Sequence, residues 1–195
     1  MSHANTTMKN HFRKDYSSFH VVEYDTVTGQ VRRKMTWQGY SDSSAWARGQ
    51  SWGLYGYTMC YRYTHDPRYL QQAEHIAAYI FRRLPKDKIP YWDYDAPGDD
   101  QPRDASAAAV LASGLYELAQ YSQKGQHYRA MADTILGNLT KYYRAPIGTN
   151  KGFLLLHSTG GKPTNTEVDV PLNYADYYYL EALLRRGDRP GPIPR

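Results

Sequence analysis

The feature that most restricts the possible folds is a predicted helix pair that occurs twice along the chain. The first pair occupies residues 44–84 and the second residues 104–143, and a long loop follows each. Equivalent positions carry the same residues: Gly53, Leu54, Tyr55, Tyr69, Ala73 and Ile76 correspond to Gly114, Leu115, Tyr116, Tyr128, Ala132 and Ile135. Repeats of this kind stack side by side, and a curved stack closes into a barrel of helices with its loops at one end.

The flanking elements extend the two pairs to about half of such a ring. They are a helix over 5–13 capped by Asn5 or Thr6, a β-hairpin with strands 20–24 and 31–36 around Thr28-Gly29, and a last helix over 171–186. The predicted fold class is therefore all-α with one small β-hairpin near the N-terminus. We expect one domain over 1–186 and a flexible tail rich in proline and glycine over 187–195.

Side chains that can accept hydrogen bonds stand before the predicted paired helices. Ser43 or Ser44 is the expected N-cap of the first helix, and Asp104 that of the third. Asp66 is the expected N-cap of the second, with Pro67 in its first turn. The starts of these three helices are thus predicted from local chemistry alone.

Composition narrows the class of protein without naming its activity. The net charge is +5, but the lysines and arginines are scattered rather than striped, which argues against nucleic acid and suits a small acidic substrate. No run of about 18 apolar residues exists and no export signal begins the chain, so we expect a soluble protein without a membrane partner, in the cytoplasm or the periplasm. The single cysteine, Cys60, excludes an intrachain disulfide and a cysteine metal cluster.

Two tryptophans and an arginine stand at the start of the long helix predicted from Ser44. Arg48 and Trp52 are four residues apart, so their side chains leave one face of the helix, and Trp46 lies at its start. An indole can cover the apolar face of a sugar, while a guanidinium binds a carboxylate through paired hydrogen bonds. Aromatic residues at this spacing are equally typical of a core, with the arginine paired to an acid. The residues alone leave both interpretations open.

Four motifs in order resemble glycoside hydrolase family 88, the unsaturated glucuronyl hydrolases, which are similar in fold to family 105 and to other six-hairpin (α/α)6 glycosidases. The motifs are Gly39-Tyr-Ser-Asp-Ser-Ser-Ala-Trp-Ala-Arg-Gly-Gln50 with Trp52-Gly-Leu-Tyr-Gly56, Ile89-Pro-Tyr-Trp-Asp-Tyr-Asp95, Arg103-Asp-Ala-Ser-Ala107, and Leu172-Asn-Tyr-Ala-Asp-Tyr-Tyr-Tyr-Leu-Glu-Ala-Leu-Leu184. The resemblance runs from the first residues to about Arg186. It implies that the chain is the C-terminal part of an (α/α)6 barrel, whose N-terminal half would be a missing partner.

The resemblance also implies a reaction and a substrate site. Family members act on the unsaturated uronic acid at the non-reducing end of oligosaccharides left by polysaccharide lyases, by hydrating its C4–C5 double bond. An aspartic acid protonates the vinyl ether, water adds at C5, and the hemiketal opens without a metal or an organic cofactor. Five positions match the family's substrate-site side chains: His20, Gln38, Trp46, Arg48 and Trp52.

The two aspartates that perform this chemistry in the family precede the region that the chain covers, so no catalytic residue is assigned. The acids nearest the matched motifs are Asp42, Asp93, Asp95 and Asp104. We expect Asp42 and Asp104 to be helix N-caps and the other two to shape their loop, rather than to form a replacement pair. The chain is therefore expected to be inactive alone.

Other functions remain open at this point. A carbohydrate-binding module would retain the aromatic and arginine side chains without catalysis, and a helical interaction protein would use them only as core. Family 105, which hydrates related rhamnogalacturonan products, shares the architecture. The sulfation preference and the second sugar of a substrate are not encoded in the motifs.

Overall fold

A computed structural model of the chain describes residues 1–98 and 100–187. This part contains six α-helices: α1 Ser2–Asn10, α2 Ala47–Thr64, α3 Pro67–Arg83, α4 Ala105–Leu118, α5 Gly125–Asn138 and α6 Asn173–Arg186. The strands β1 Val21–Tyr24 and β2 Val31–Met35 form one antiparallel sheet. A π-helical turn over Leu139–Tyr143 continues α5, and short 3-10 turns occur at Asn150–Gly152 and Lys162–Thr164. The predicted all-α class with one small hairpin is confirmed.

The helices form two layers. The inner helices α2, α4 and α6 lie side by side, with α3 against α2 and α5 against α4 in the outer layer. Every residue of α4 is buried, because neighbours cover it on three sides. Its alanines allow close approach, and a β-carbon added at Gly114 would lie 2.6 Å from Cδ2 of Leu54 on α2.

Helix α1 belongs to the outer layer, next to α3. The hydroxyl of Tyr69 on α3 donates to Oδ1 of Asn5 over 2.9 Å, and the hydroxyl of Tyr57 on α2 donates to the Ala4 carbonyl over 3.0 Å. The helix starts at Ser2 and ends at Asn10, so the predicted start at Asn5 or Thr6 was wrong. The Asn5 side chain is engaged with α3 instead of capping its own helix.

Two of the predicted N-caps are confirmed. The Asp66 carboxylate accepts from the Arg68 amide, with Pro67 in the first turn, and that of Asp104 accepts from the amides of Ser106 and Ala107. Such caps satisfy backbone donors that have no partner inside the helix.

The prediction of Ser43 or Ser44 as the cap of α2 was wrong, because the helix begins only at Ala47. The Ser44 hydroxyl donates to Asp93 instead, over 2.7 Å. The backbone of the preceding residues pairs with a distant loop: the Ala47 amide donates to the carbonyl of Trp92 over 3.1 Å, and the amide of Tyr94 donates to that of Ala45 over 3.0 Å. This tertiary contact keeps the residues before Ala47 out of the helix, so α2 begins later than predicted.

The remaining boundaries differ from expectation by a few residues. Helix α4 ends at Leu118, before the expected end at 122, and α6 begins at Asn173 rather than 171. The domain bounds remain a prediction. The predicted flexible tail, apart from its first residue, lies outside the described residues.

Charged side chains link the three inner helices near the C-terminal end of α2. The Glu117 carboxylate of α4 lies 3.1 Å from the Arg62 guanidinium of α2 and 3.0 Å from that of Arg185 on α6. Arg185 also pairs with Glu181 at 3.3 Å. The carboxylate is almost completely buried, and this burial raises the pKa of Glu117. Among the described residues, no helix has the length and apolarity needed to cross a membrane.

Candidate functional site

The predicted tryptophans and His20 meet at one groove. Trp46 is the N-cap residue of α2, and its ring centroid lies 4.5 Å from that of the His20 ring. Both rings and that of Trp52 line a groove of about 380 Å³ between α1 and α2. The other walls of the groove are largely apolar. A flat apolar ligand face therefore has aromatic surface to lie on.

Arg48 lies behind this aromatic surface, and its side chain is only 3% exposed. Its Cζ is 4.6 Å from the centre of the Trp46 ring, and one terminal nitrogen lies 2.5 Å from the Asp104 carboxylate. The same nitrogen donates to the Thr159 carbonyl over 2.7 Å, and the other donates to that of Gly160 over 3.0 Å. Of the two interpretations left open by the sequence, the pairing of Arg48 with an acid agrees with these contacts. A direct contact with substrate stays a prediction.

The Gly160 carbonyl joins Arg48 to Gln38. It also accepts a hydrogen bond from Nε2 of Gln38, over 2.8 Å. One carbonyl oxygen therefore connects three segments: the end of the β-hairpin, the start of α2 and the loop after α5. Gln38 was matched to the family's substrate-site side chains, but its amide nitrogen donates to the protein's own backbone. A contact of Gln38 with a ligand stays a prediction.

The hydrogen bonds of His20 assign its tautomer. Nδ1 accepts from the backbone amides of Trp37 and Gln38, over 3.1 and 3.0 Å, so the ring is neutral and carries its proton on Nε2. Burial lowers the pKa of His20, and the positive charge of Arg48 and the neighbouring His11 lower it further. The site therefore offers a neutral imidazole as a hydrogen-bond donor.

Helices α2 and α6 face each other through two matched pairs. Arg48 lies 5.5 Å from the Tyr174 ring, and the Trp52 ring lies 5.0 Å from that of Tyr178. Since each pair of residues is four apart on its own helix, the predicted common face of Arg48 and Trp52 is confirmed. The tyrosines were within a quoted motif but were not singled out; their spacing of four residues was the signal.

The four acids considered as replacements all hold backbone or side chains in place. Asp93 accepts from the Tyr40 amide over 2.9 Å, and the Asp95 carboxylate accepts from the Ala45 amide over 2.9 Å, so both shape loops as expected. Asp104 is the cap of α4. Asp42 had been expected to cap a helix, and this prediction was wrong. Its carboxylate accepts a hydrogen bond from the Thr36 amide over 2.8 Å, in the turn before α2.

A second cavity of about 770 Å³ is lined by residues of the loops that follow α3 and α5. It is lined by charges of both signs, with Arg103 3.1 Å from Asp87 and Nδ1 of His157 2.6 Å from Asp169. Lys162 also lines it. Among the described residues, no three histidine, cysteine or acidic side chains are grouped as a metal site.

Comparison with known proteins places this geometry in a class. No protein-family model matches the sequence. The chain is 50% identical over 190 residues to the unsaturated glucuronyl hydrolase of Formosa agariphila, covering 95% of the chain and 47% of that enzyme. It is 39% identical over 190 residues to the unsaturated chondroitin disaccharide hydrolase of Streptococcus pneumoniae, covering 94% of the chain and 48% of that enzyme. The chain thus spans about half the length of these curated relatives.

Solved structures give the same result. A crystal structure of an unsaturated glucuronyl hydrolase specific for heparin matches with a TM-score of 0.93 and 56% identity, over 95% of this chain and 51% of that one. The chain is therefore built as part of a six-hairpin glycosidase. Its sequence and fold fit the C-terminal part of a family 88 unsaturated glucuronyl hydrolase, of which it spans about half.

Proposed function

We propose that the chain supplies one wall of the substrate site of an unsaturated glucuronyl hydrolase. The observation that carries the proposal is the groove lined by His20, Trp46 and Trp52, in a chain whose relatives are glucuronyl and chondroitin disaccharide hydrolases. The substrate is an oligosaccharide with an unsaturated uronic acid at its non-reducing end. The alternative of family 105 has no support from these relatives.

Each side chain of the wall has a distinct task. Trp46 and Trp52 cover the apolar face of the uronate ring, and Nε2–H of His20 donates to an oxygen of the sugar or to the attacking water. Arg48 acts from behind Trp46, where its charge favours the uronate and its hydrogen bonds keep the loop at Gly160 in place. Gln38 holds the same loop.

The reaction proposed for the complete site is the hydration of the C4–C5 double bond. A carboxylic acid protonates C4, water adds at C5, and the hemiketal opens to release the adjoining sugar. The acids engaged in loops and caps of this chain are already committed to other hydrogen bonds. In this proposal the catalytic acid belongs to the half of the enzyme that the chain does not span.

Turnover and binding are tested separately. The purified 195-residue chain, mixed with an unsaturated chondroitin or heparin disaccharide, should leave the absorbance of the conjugated double bond unchanged, because a positioned acid contributes about 100- to 10,000-fold to rate. A chimera that joins the chain to the remaining half of the Formosa agariphila relative should remove that absorbance. Turnover by the chain alone would contradict the proposal that the chain is inactive without the other half of the enzyme. A folded chimera without turnover would contradict the proposed activity.

Binding is read from tryptophan fluorescence of the same chimera. Trp52→Ala should weaken binding of the disaccharide by about fivefold or more, since the loss of one stacking ring costs on the order of 1–3 kcal/mol in comparable ring contacts. Tyr63→Ala is the matched control, because Tyr63 lies on the same helix but is 75% exposed and outside the groove. Equal affinities of the two variants would assign Trp52 to the core alone.

A further inference from the structure

The Trp52 ring belongs to a cluster of three aromatic rings. Between centroids, it lies 5.0 Å from the Tyr178 ring of α6 and 6.4 Å from the Tyr55 ring of α2. The two tyrosine rings lie 5.3 Å apart. All three angles between the ring planes are close to perpendicular, at 77°, 86° and 80°. In such edge-to-face packing, one ring cannot turn unless the others move as well.

The Tyr55 hydroxyl joins this ring cluster to the buried ion pairs of α4 and α6. It donates to Oε1 of Glu181 over 3.2 Å, and it accepts from the Arg185 guanidinium over 3.4 Å. Cζ of Arg185 also lies 5.3 Å from the centre of the Tyr55 ring. Burial raises the pKa of Tyr55 to about 12, so the hydroxyl keeps the proton that it donates.

The acceptor of the Tyr55 hydroxyl is itself held from two sides. The Ser113 hydroxyl of α4 donates to Oε2 of Glu181, and the Arg185 guanidinium lies 3.3 Å from Oε1. Arg185 in turn donates to the Ser113 carbonyl over 2.9 Å. The side chains of Glu181 and Arg185 are 11% and 9% exposed. A polar network with so little access to water and this many partners is rigid, so it gives Tyr55 a fixed anchor.

We propose that Tyr55 and Glu181 are positioning residues for substrate binding, which hold the Trp52 ring at the angle at which it stacks on the uronate. This inference rests on the proposed function. Tyr55 follows Trp52 by three residues on α2, and Glu181 follows Tyr178 by three on α6. Their hydrogen bond therefore sets the two helices in the register that brings the Trp52 and Tyr178 rings together. Neither Tyr55 nor Glu181 lines the groove, so their effect on the substrate passes through Trp52.

Tyr55→Phe tests the proposal in the chimera, because it removes the hydroxyl and keeps the ring. It should weaken binding of the unsaturated disaccharide by about three- to fivefold, the scale of one hydrogen bond, and raise KM by the same factor. Tyr116→Phe is the matched control. Tyr116 occupies the equivalent position of the second helix pair, and its hydroxyl donates to the Asp133 carboxylate over 2.7 Å, outside the groove. Equal affinities of the two variants would overturn the proposal.

A double-mutant cycle shows whether the effect of Tyr55 passes through the Trp52 ring. In the Trp52→Ala background, Tyr55→Phe should change the affinity by less than about twofold. The full loss in that background would overturn the proposal, because Tyr55 would then act by another route.

Fluorine NMR of the 195-residue chain labelled with fluorotryptophan tests the ring position without a sugar. The Trp52 signal is the one that Trp52→Ala removes. Tyr55→Phe should shift or broaden it, and Tyr116→Phe should leave it unchanged. An unmoved signal in Tyr55→Phe would overturn the positioning role even in an active chimera. An inactive chimera would contradict the proposed function, and the fluorine signal would still decide whether Tyr55 positions the ring.

Discussion

At the scale of single residues, the site depends on a buried ion pair. Arg48 and Asp104 are 3% and 0% exposed, and the aspartate also caps α4. Removing water from both charges costs free energy that their short contact and hydrogen bonds must offset. The pair consequently fixes the start of α2, the start of α4 and the loop at Thr159 relative to one another.

Asp104→Asn should lower the free energy of unfolding by about 3–5 kcal/mol, because it leaves the Arg48 charge buried without its partner. Urea unfolding followed by circular dichroism measures the change. Asp169→Asn is the matched control, since its pair with His157 is 60% exposed on the aspartate side and such surface pairs contribute at most about 1 kcal/mol. Similar losses for the two variants would contradict the role assigned to the buried pair.

The His20 ring should titrate below its ordinary pKa of 6.5, because burial and the nearby charge of Arg48 disfavour the imidazolium. Protonating Nδ1 would also break the two hydrogen bonds that it accepts. In the unfolded chain the ring binds its proton at the ordinary pKa. The contribution to stability is therefore complete above that pKa and is lost as the pH falls below it.

Imidazole NMR signals of the folded chain, compared with those in denaturant, measure this shift. His20→Gln should remove the corresponding part of the pH dependence of unfolding, since its amide oxygen can still accept from the backbone. A His20 titration at or above the ordinary pKa would refute the assigned tautomer.

Local spacing predicted part of the site and tertiary contacts determined the rest. The interval between Arg48 and Trp52 was enough to place them on one face, which Tyr174 and Tyr178 now match. The Gly160 carbonyl could not be anticipated, because it lies more than 100 positions from Arg48. Every residue has a backbone carbonyl, so the residue type at position 160 does not indicate that its carbonyl is an acceptor in the site.

At the scale of elements, the caps show where local chemistry suffices. Asp66 and Asp104 were predicted because a capping carboxylate needs only the amides two or three residues ahead. Ser44 met the same local criterion and failed, since Asp93 from another loop takes its hydroxyl. Helix starts that contact distant loops are thus the boundaries that sequence misplaces.

Gly114→Ala should destabilise the fold despite its better helix propensity. The added methyl group would lie 2.6 Å from a Leu54 methyl and 3.3 Å from Cα of Tyr55, and overpacking costs about 1–3 kcal/mol against a propensity gain of about 1 kcal/mol. Gly137→Ala on α5 is the matched control, because its β-carbon meets nothing within 4 Å. Thermal unfolding should rank Gly137→Ala at or above the wild type and Gly114→Ala below it; the reverse order would contradict the close approach of α2 and α4.

At the scale of the whole molecule, the repeat predicted a stack of helical hairpins, and the structure matches a solved unsaturated glucuronyl hydrolase with a TM-score of 0.93. The alternation of inner and outer helices followed from the two similar pairs. The place of α1 in the stack could not be described from sequence, because α1 joins the outer layer through hydrogen bonds of Asn5 and Ala4 rather than through a repeat motif.

The shared carbonyl of Gly160 has a consequence for folding kinetics. Its bonds to Gln38 and Arg48 span 122 and 112 positions, whereas each helix pair closes over far shorter separations. Contacts of such long range cost the most chain entropy to form and reward it only when the intervening hairpins are in place. We therefore expect the contacts at Gly160 to form after the helix pairs have packed. Gln38→Ala should then speed unfolding and leave the folding rate nearly unchanged.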